Sequence, residues 1–130
     1  MVSRRVVLAL LLAGTMVSAC GCVAAVVGAG AVGTVAYMKG DLESVEAEPV
    51  DKVYAATKDA LNQFGYAITK DRKDTISAEI IARDSQDKKV TIKLSSAEGR
   101  TTKLSIRFGT FGNEARSRLV YDKIRENLRQ

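Results

Sequence analysis

The sequence predicts an α+β fold: a two-layer unit in which an antiparallel sheet of four or five strands carries two helices on one face, in the order β-α-β-β-β-β-α. Three observations lead there. Apolar residues recur every three or four positions over 50–64 and again over 120–128, which is the helical period. Between these stretches, from 66 to 108, the period falls to two, as in strands with one buried face. The connections in that region are short and polar, which suits hairpins between antiparallel neighbours. Two layers that turn their apolar sides toward each other satisfy every stripe at once.

The chain of 130 residues opens on a targeting pattern. Ser3, Arg4 and Arg5 form a charged n-region, Val6 to Ala13 is an unbroken apolar run, and small residues precede Cys20. That three-part build is a secretory signal, expected over 1–19. Its end, V-S-A-C, reads aliphatic, small, small, cysteine, like a bacterial lipobox. Cys20 is the expected acylated residue. Cys22 is the alternative, and the poorer fit, because no large aliphatic residue stands three places before it. No charge occurs between Arg5 and Lys39, so an uncleaved membrane span is the rival reading. The crowded glycines and alanines and the Ser-Ala-Cys break favour cleavage.

Residues 20–39 are expected to be an acylated cysteine followed by a Gly/Ala-rich apolar tether, and 40–130 a single α+β domain. Within the tether, Gly28, Gly30 and Gly33 satisfy G-x-G-x-x-G. A dinucleotide fingerprint needs a strand before it, a helix after it and the remainder of a doubly wound sheet, none of which fits here. Ala25, Ala29 and Gly33 instead fall on one small-residue face of a helix, suited to close packing in lipid.

Lys39-Gly40-Asp41 marks the start of the domain. Asp41 to Ala47 sets Leu42 and either Ser44 or Val45 against acids, a first strand. Pro49 suits the first position of a helix whose stripe is Val50, Val53, Tyr54, Thr57, Leu61 and Phe64, and Gly65 is a left-handed stop. Tyr66 and Ile68 begin a strand that gives way to a charged turn over 70–74. Ile76, Ala78, Ile80 and Ala82 are the inward side of the next strand; Val90, Ile92 and Leu94 follow, then Leu104, Ile106 and Phe108. Asn113 is an N-cap, with Glu114 at the positive end of a helix whose stripe is Val120, Tyr121, Ile124 and Leu128.

Composition limits the chemistry. The chain has no histidine, so the commonest general base and neutral metal ligand are missing. Both cysteines lie at the leader boundary, which leaves the domain without a disulfide framework or a cysteine-ligated metal site. The formal charge of +5 falls to +3 once Arg4 and Arg5 are removed, a weak basicity. Asp71, Asp74, Asp84 and Asp87 sit among lysines and arginines in connections, as turn residues do. No enzyme, cofactor or metal site is expected.

Two surfaces remain as candidates. Lys89, Lys93, Lys103 and Arg107 fall on the outward side of neighbouring strands, a basic strip. It keeps the sheet soluble, or meets anionic headgroups, an acidic cell-wall polymer or an envelope protein. Without exposed aromatics for stacking it is not an RNA-reading face, and no nucleic acid is expected as partner. The turn Gly109-Thr110-Phe111-Gly112 is the second. Its glycines permit a tight strand-to-helix corner with Phe111 plugging the core end; the other reading is a small binding turn in which Phe111 makes the contact.

The lipobox, V-V-G-A-G-A-V-G, K-G-D-L, V-D-K-V-Y-A-A-T, K-V-T-I-K-L and R-F-G-T-F-G-N-E-A together resemble the bacterial lipoproteins grouped as the domain of unknown function DUF3568. The resemblance spans nearly all of the chain after the leader, and the two glycine-bearing stretches are its most specific parts. It implies a small envelope lipoprotein and supplies no reaction, substrate or catalytic residue. The expectation is a lipid-anchored, non-enzymatic module of the bacterial envelope, held at the outer membrane with its domain in the periplasm. The alternative is a small-molecule or lipid carrier with a pocket between helices and sheet.

Overall fold

The computed structural model describes residues 32–130. The leader, Cys20, Cys22 and the tether through residue 31 lie outside the described residues. The rest is α+β: β1 (Val35–Met38), β2 (Asp41–Glu46), α1 (Val50–Gln63), β3 (Ala67–Lys73), β4 (Ser77–Arg83), β5 (Lys89–Ala97), β6 (Thr101–Phe108) and α2 (Glu114–Leu128). The sheet is antiparallel in the order β1-β2-β6-β5-β4-β3, and so has six strands rather than four or five. The additional strand is β1, drawn from the segment assigned to the tether. Val35 pairs with Ser44 and Met38 with Asp41, and the Gly33 N–H donates to the Val45 carbonyl at 2.8 Å.

α1 carries the chain from β2, near one edge, to β3 at the other, and the meander β3-β4-β5-β6 then returns to β2. Pro49 takes the N-cap rather than the first helical turn, its carbonyl accepting from Lys52 and Val53 N–H. Gly65, at φ +74°, ends the helix: its N–H bonds the Asn62 carbonyl and that of Tyr66 bonds Leu61, the paired closure of a left-handed cap. Asn113 caps α2 as expected, its side chain accepting from Arg116 N–H at 3.1 Å. Asn127 of α2 donates to the Ala56 carbonyl and to Gln63 of α1, so the two helices lie side by side on one face of the sheet.

Between the layers lies one core, with Leu42, Val53, Leu61, Ile80, Ile92, Leu104, Ile106 and Ile124 fully buried. The expected inward positions of β4, β5 and β6 hold from Ala78 onward. Ile76 does not: it precedes β4 and is 67% exposed. In β2 the inward residues are Leu42, Ser44 and Glu46, since these pair with Ile106, Leu104 and Thr102. β3 runs on through the segment expected as a charged turn. It is an edge strand with a register shift between Ile68 and Lys70, and charge and irregularity both discourage pairing with another chain. Its hold on α1 is polar. Tyr54 donates to Asp71 at 2.5 Å, Lys58 pairs with the same carboxylate at 2.9 Å, and Lys73 pairs with Asp51.

Candidate functional site

The face of the sheet turned away from the helices has no covering element among the described residues. Cross-strand pairing places its side chains in rows. Asp41, Arg107, Thr91, Ile81 and Lys70 form one, and Glu43, Ser105, Lys93, Glu79 and Arg72 the next. Lys103, opposite Val45 and Ser95, belongs to a third, and Lys89 stands opposite Arg83 at the end of the sheet. Lys89, Lys93, Lys103 and Arg107 therefore do share one face, joined by Lys70 and Arg72.

Carboxylates stand between them. Lys70 pairs with Glu79 at 2.6 Å, Lys103 with Glu43 at 3.7 Å, and Arg107 with Asp41 at 2.7 Å. The Arg107 hydrogen bond and charge, with the charge of Lys93, hold Asp41 below the usual carboxylate range. Glu79 is lowered by its hydrogen bond to Lys70 and by the charges of Lys70, Lys93 and Arg72. The strip is thus a mosaic of paired charges with cations in excess. Two shallow concavities lie on it, one floored by Ser77, Lys93 and Ser105, the other by Thr91, Lys93 and Arg107.

Arg107 has a different task from the lysines. Its Nε donates to Asp41 Oδ1 and its Nη2 to Asp41 Oδ2 at 3.1 Å and to the Lys39 carbonyl at 2.9 Å; Nη1 donates to the Thr110 carbonyl at 3.2 Å. One guanidinium thereby joins the β1–β2 turn to the G-T-F-G turn. The turns also touch directly, and only glycine permits it. A Cβ on Gly40 would lie 2.6 Å from the Phe111 carbonyl oxygen, and one on Gly112 would strike the Gly40 backbone and come within 2.7 Å of the Tyr37 hydroxyl. Both glycines have positive φ. K-G-D-L and R-F-G-T-F-G-N, distant in sequence, are thus one built corner.

Phe111 is not a plug for the core. It is 90% exposed at the outside of this corner, and the end of the core is closed instead by Phe108, whose ring meets Tyr66 edge-on at 6.1 Å and Arg116 at 4.6 Å. Arg116 continues to Asp84, whose carboxylate is nearly fully buried and also accepts the N–H groups of Gln86 and Lys88. Burial pushes the Asp84 carboxyl up, but the two N–H donors and Arg116 outweigh it and leave it below the ordinary value.

Residues 5–127 match the family model for DUF3568, described as a protein of unknown function. The chain belongs to the DUF3568 family. No curated protein matches it. The matched span takes in K-G-D-L and R-F-G-T-F-G-N, two of the stretches that carry the resemblance, and in this DUF3568 chain these two are in contact through Gly40 and Gly112.

Sequence reasoning missed one polar cluster. Glu46, 5% exposed beneath α2, accepts from the Ser44 hydroxyl at 2.9 Å and faces Arg125, which donates to Tyr121 at 3.0 Å. Burial, with Glu46 nearby, raises the Tyr121 hydroxyl above its usual value against the opposing effect of Arg125. Such a pair adds little net stability, because the cost of desolvating the charge offsets the attraction. The signal was present in the alternation of β2, where Ser44 and Glu46 keep phase with Leu42. The space a carrier would need between helices and sheet is occupied by core side chains such as Phe108, Leu61 and Ile92. Among the described residues no group of three acids or cysteines is placed to hold a metal ion, and no helix is long and apolar enough to cross a membrane.

Proposed function

We propose that this DUF3568 chain is a lipid-anchored, non-enzymatic module of the bacterial envelope, acting by contact between its open sheet face and another envelope component. The anchor is Cys20, with Cys22 as the alternative, and the domain stands in the periplasm at the outer membrane. The observation that carries the contact is the uncovered face itself. A helix layer seals one side of the sheet, while the other presents Lys89, Lys93 and Lys103 with Asp41, Glu43 and Glu79 between them. Charges so arranged suit a polar partner of opposite pattern, a protein or an acidic cell-wall polymer, and favour its encounter and register.

A photo-crosslinking side chain at Ser105, in the middle of this face, is expected to give a discrete adduct in intact cells. The same group at Ala55, exposed on α1, is expected to give none. Adding Lys93→Gln and Lys103→Gln should abolish the Ser105 adduct while changing the thermal midpoint little, since an exposed ion pair such as Lys103–Glu43 contributes only about 0–1 kcal/mol. Identical crosslinking from both positions, or none from Ser105, would remove the open face from the account.

A further inference from the structure

The glycine corner brings large exposed apolar side chains together with lysines that have no ion-pair partner among the described residues. Phe111 projects from it at 90% exposure, and Met38, 49% exposed, closes β1 immediately before the Lys39–Gly40 turn. The exposure is enforced. Arg107 bonds the backbone on both sides, at Lys39 and Thr110, and Gly40 packs against the Phe111 carbonyl, so the ring is held outward by a clamped turn.

The charges around the ring are one-sided. Lys88 and Lys89 line the same concavity as Phe111, Lys39 stands on the turn that touches it, and all three are exposed. None of the three has an ion-pair partner among the described residues, whereas each acid of this end has one. Asp87 is with Arg83, Glu114 with Arg118, Asp84 with Arg116 and Asp41 with Arg107. The opposite end of the sheet is mixed in charge: with exposed Ile76 it carries Asp74 and Glu98 as well as Arg72 and Arg100, none of them in an ion pair among the described residues, and Lys73 is paired with Asp51.

We propose that this corner is a bilayer contact: Phe111 and Met38 enter the interfacial zone of an anionic membrane while Lys39, Lys88 and Lys89 meet lipid phosphates. An apolar tip ringed by lysines is the composition that anionic interfaces favour, the ring and thioether burying apolar area and the cations gaining from the surface potential. Geometry allows it. β1 runs toward the corner, so Val32 lies at the other end of the strand, and the twelve residues from Cys20 to Ala31 reach about 40 Å when extended. The contact needs no acyl chain, so it stands or falls separately from the anchor proposed above.

The chain contains no tryptophan, so Phe111→Trp provides a single indole reporter at the tip and Ile76→Trp a control at the other end. Full-length protein carrying one or the other is reconstituted with phosphatidylglycerol or phosphatidylcholine vesicles, with and without brominated acyl chains. The expected result is a blue shift and quenching of the tip indole in phosphatidylglycerol, absent in phosphatidylcholine, reversed by Lys88→Glu/Lys89→Glu and reduced by salt. The Ile76→Trp protein should keep the emission of water. Solvent-like, unquenched emission from the Phe111→Trp protein in both lipids overturns the proposal, and so does equal quenching in both or equal quenching at the two positions. Acylation is read independently from the protein's mass, so loss of the anchor is not mistaken for loss of the tip contact.

Discussion

Phe108→Ala is expected to cost about 3–5 kcal/mol in unfolding free energy, the range for emptying a large buried aromatic site. Phe108 ends β6 at 2% exposure, under the Tyr66 ring and the Arg116 guanidinium, and belongs to the core shared by both layers. Its removal leaves a cavity and withdraws the surface on which Arg116 lies. Phe108→Leu keeps most of the volume and should cost roughly 1.5 kcal/mol or less. Denaturant titration of both proteins checks this. A cost below about 1 kcal/mol for the alanine variant would mean that the corner is not closed by this ring.

The second large effect is expected at Gly112. Gly112→Val combines a left-handed backbone, φ +84°, with a collision against the Gly40 backbone and the Tyr37 hydroxyl, and a loss of about 3 kcal/mol is expected. Gly99→Val supplies the comparison. Gly99 also has positive φ, at +68°, yet a Cβ there meets nothing within 4 Å, so only backbone strain of about 1–2 kcal/mol applies. Thermal unfolding of the pair separates contact from strain. Equal losses would show that the two glycine turns do not touch.

Most of the architecture was legible because most elements have a solvent side and a core side. Val53, Leu61, Val120 and Ile124 mark their helices by spacing, and Val90, Ile92, Leu104 and Ile106 mark their strands. β1 leaves no such trace: V-A-Y-M lies in an apolar run with no polar alternation to set a phase. β3 is longer than its pattern suggests for the opposite reason. As an edge strand whose side chains are largely in water it tolerates K-D-R-K, and charge alone cannot tell such a strand from a turn.

The candidate site was legible in part. Alternation places Lys89, Lys93, Lys103 and Arg107 on one face. That Arg107 is a clamp depends on Asp41, Lys39 and Thr110, of which two are more than sixty positions away in sequence, and no local pattern announces a contact of that range. Phenylalanine usually belongs to the core, which is why the sequence alone points Phe111 inward. Its exposure goes with the contact between the two glycine turns, which the local sequence does not show.

The membrane attachment on which the proposed function rests has a direct measurement. Protein isolated from the membrane fraction of expressing cells is weighed intact and sequenced from its N-terminus. The expected species begins at Cys20, lacks residues 1–19 and carries the added mass of a diacylglyceryl group and an amide-linked acyl chain. Cys20→Ala/Cys22→Ala should retain the leader and take up no labelled fatty acid. A native chain that starts at Met1 with unmodified cysteines, or a double variant that still labels, would contradict the lipid anchor.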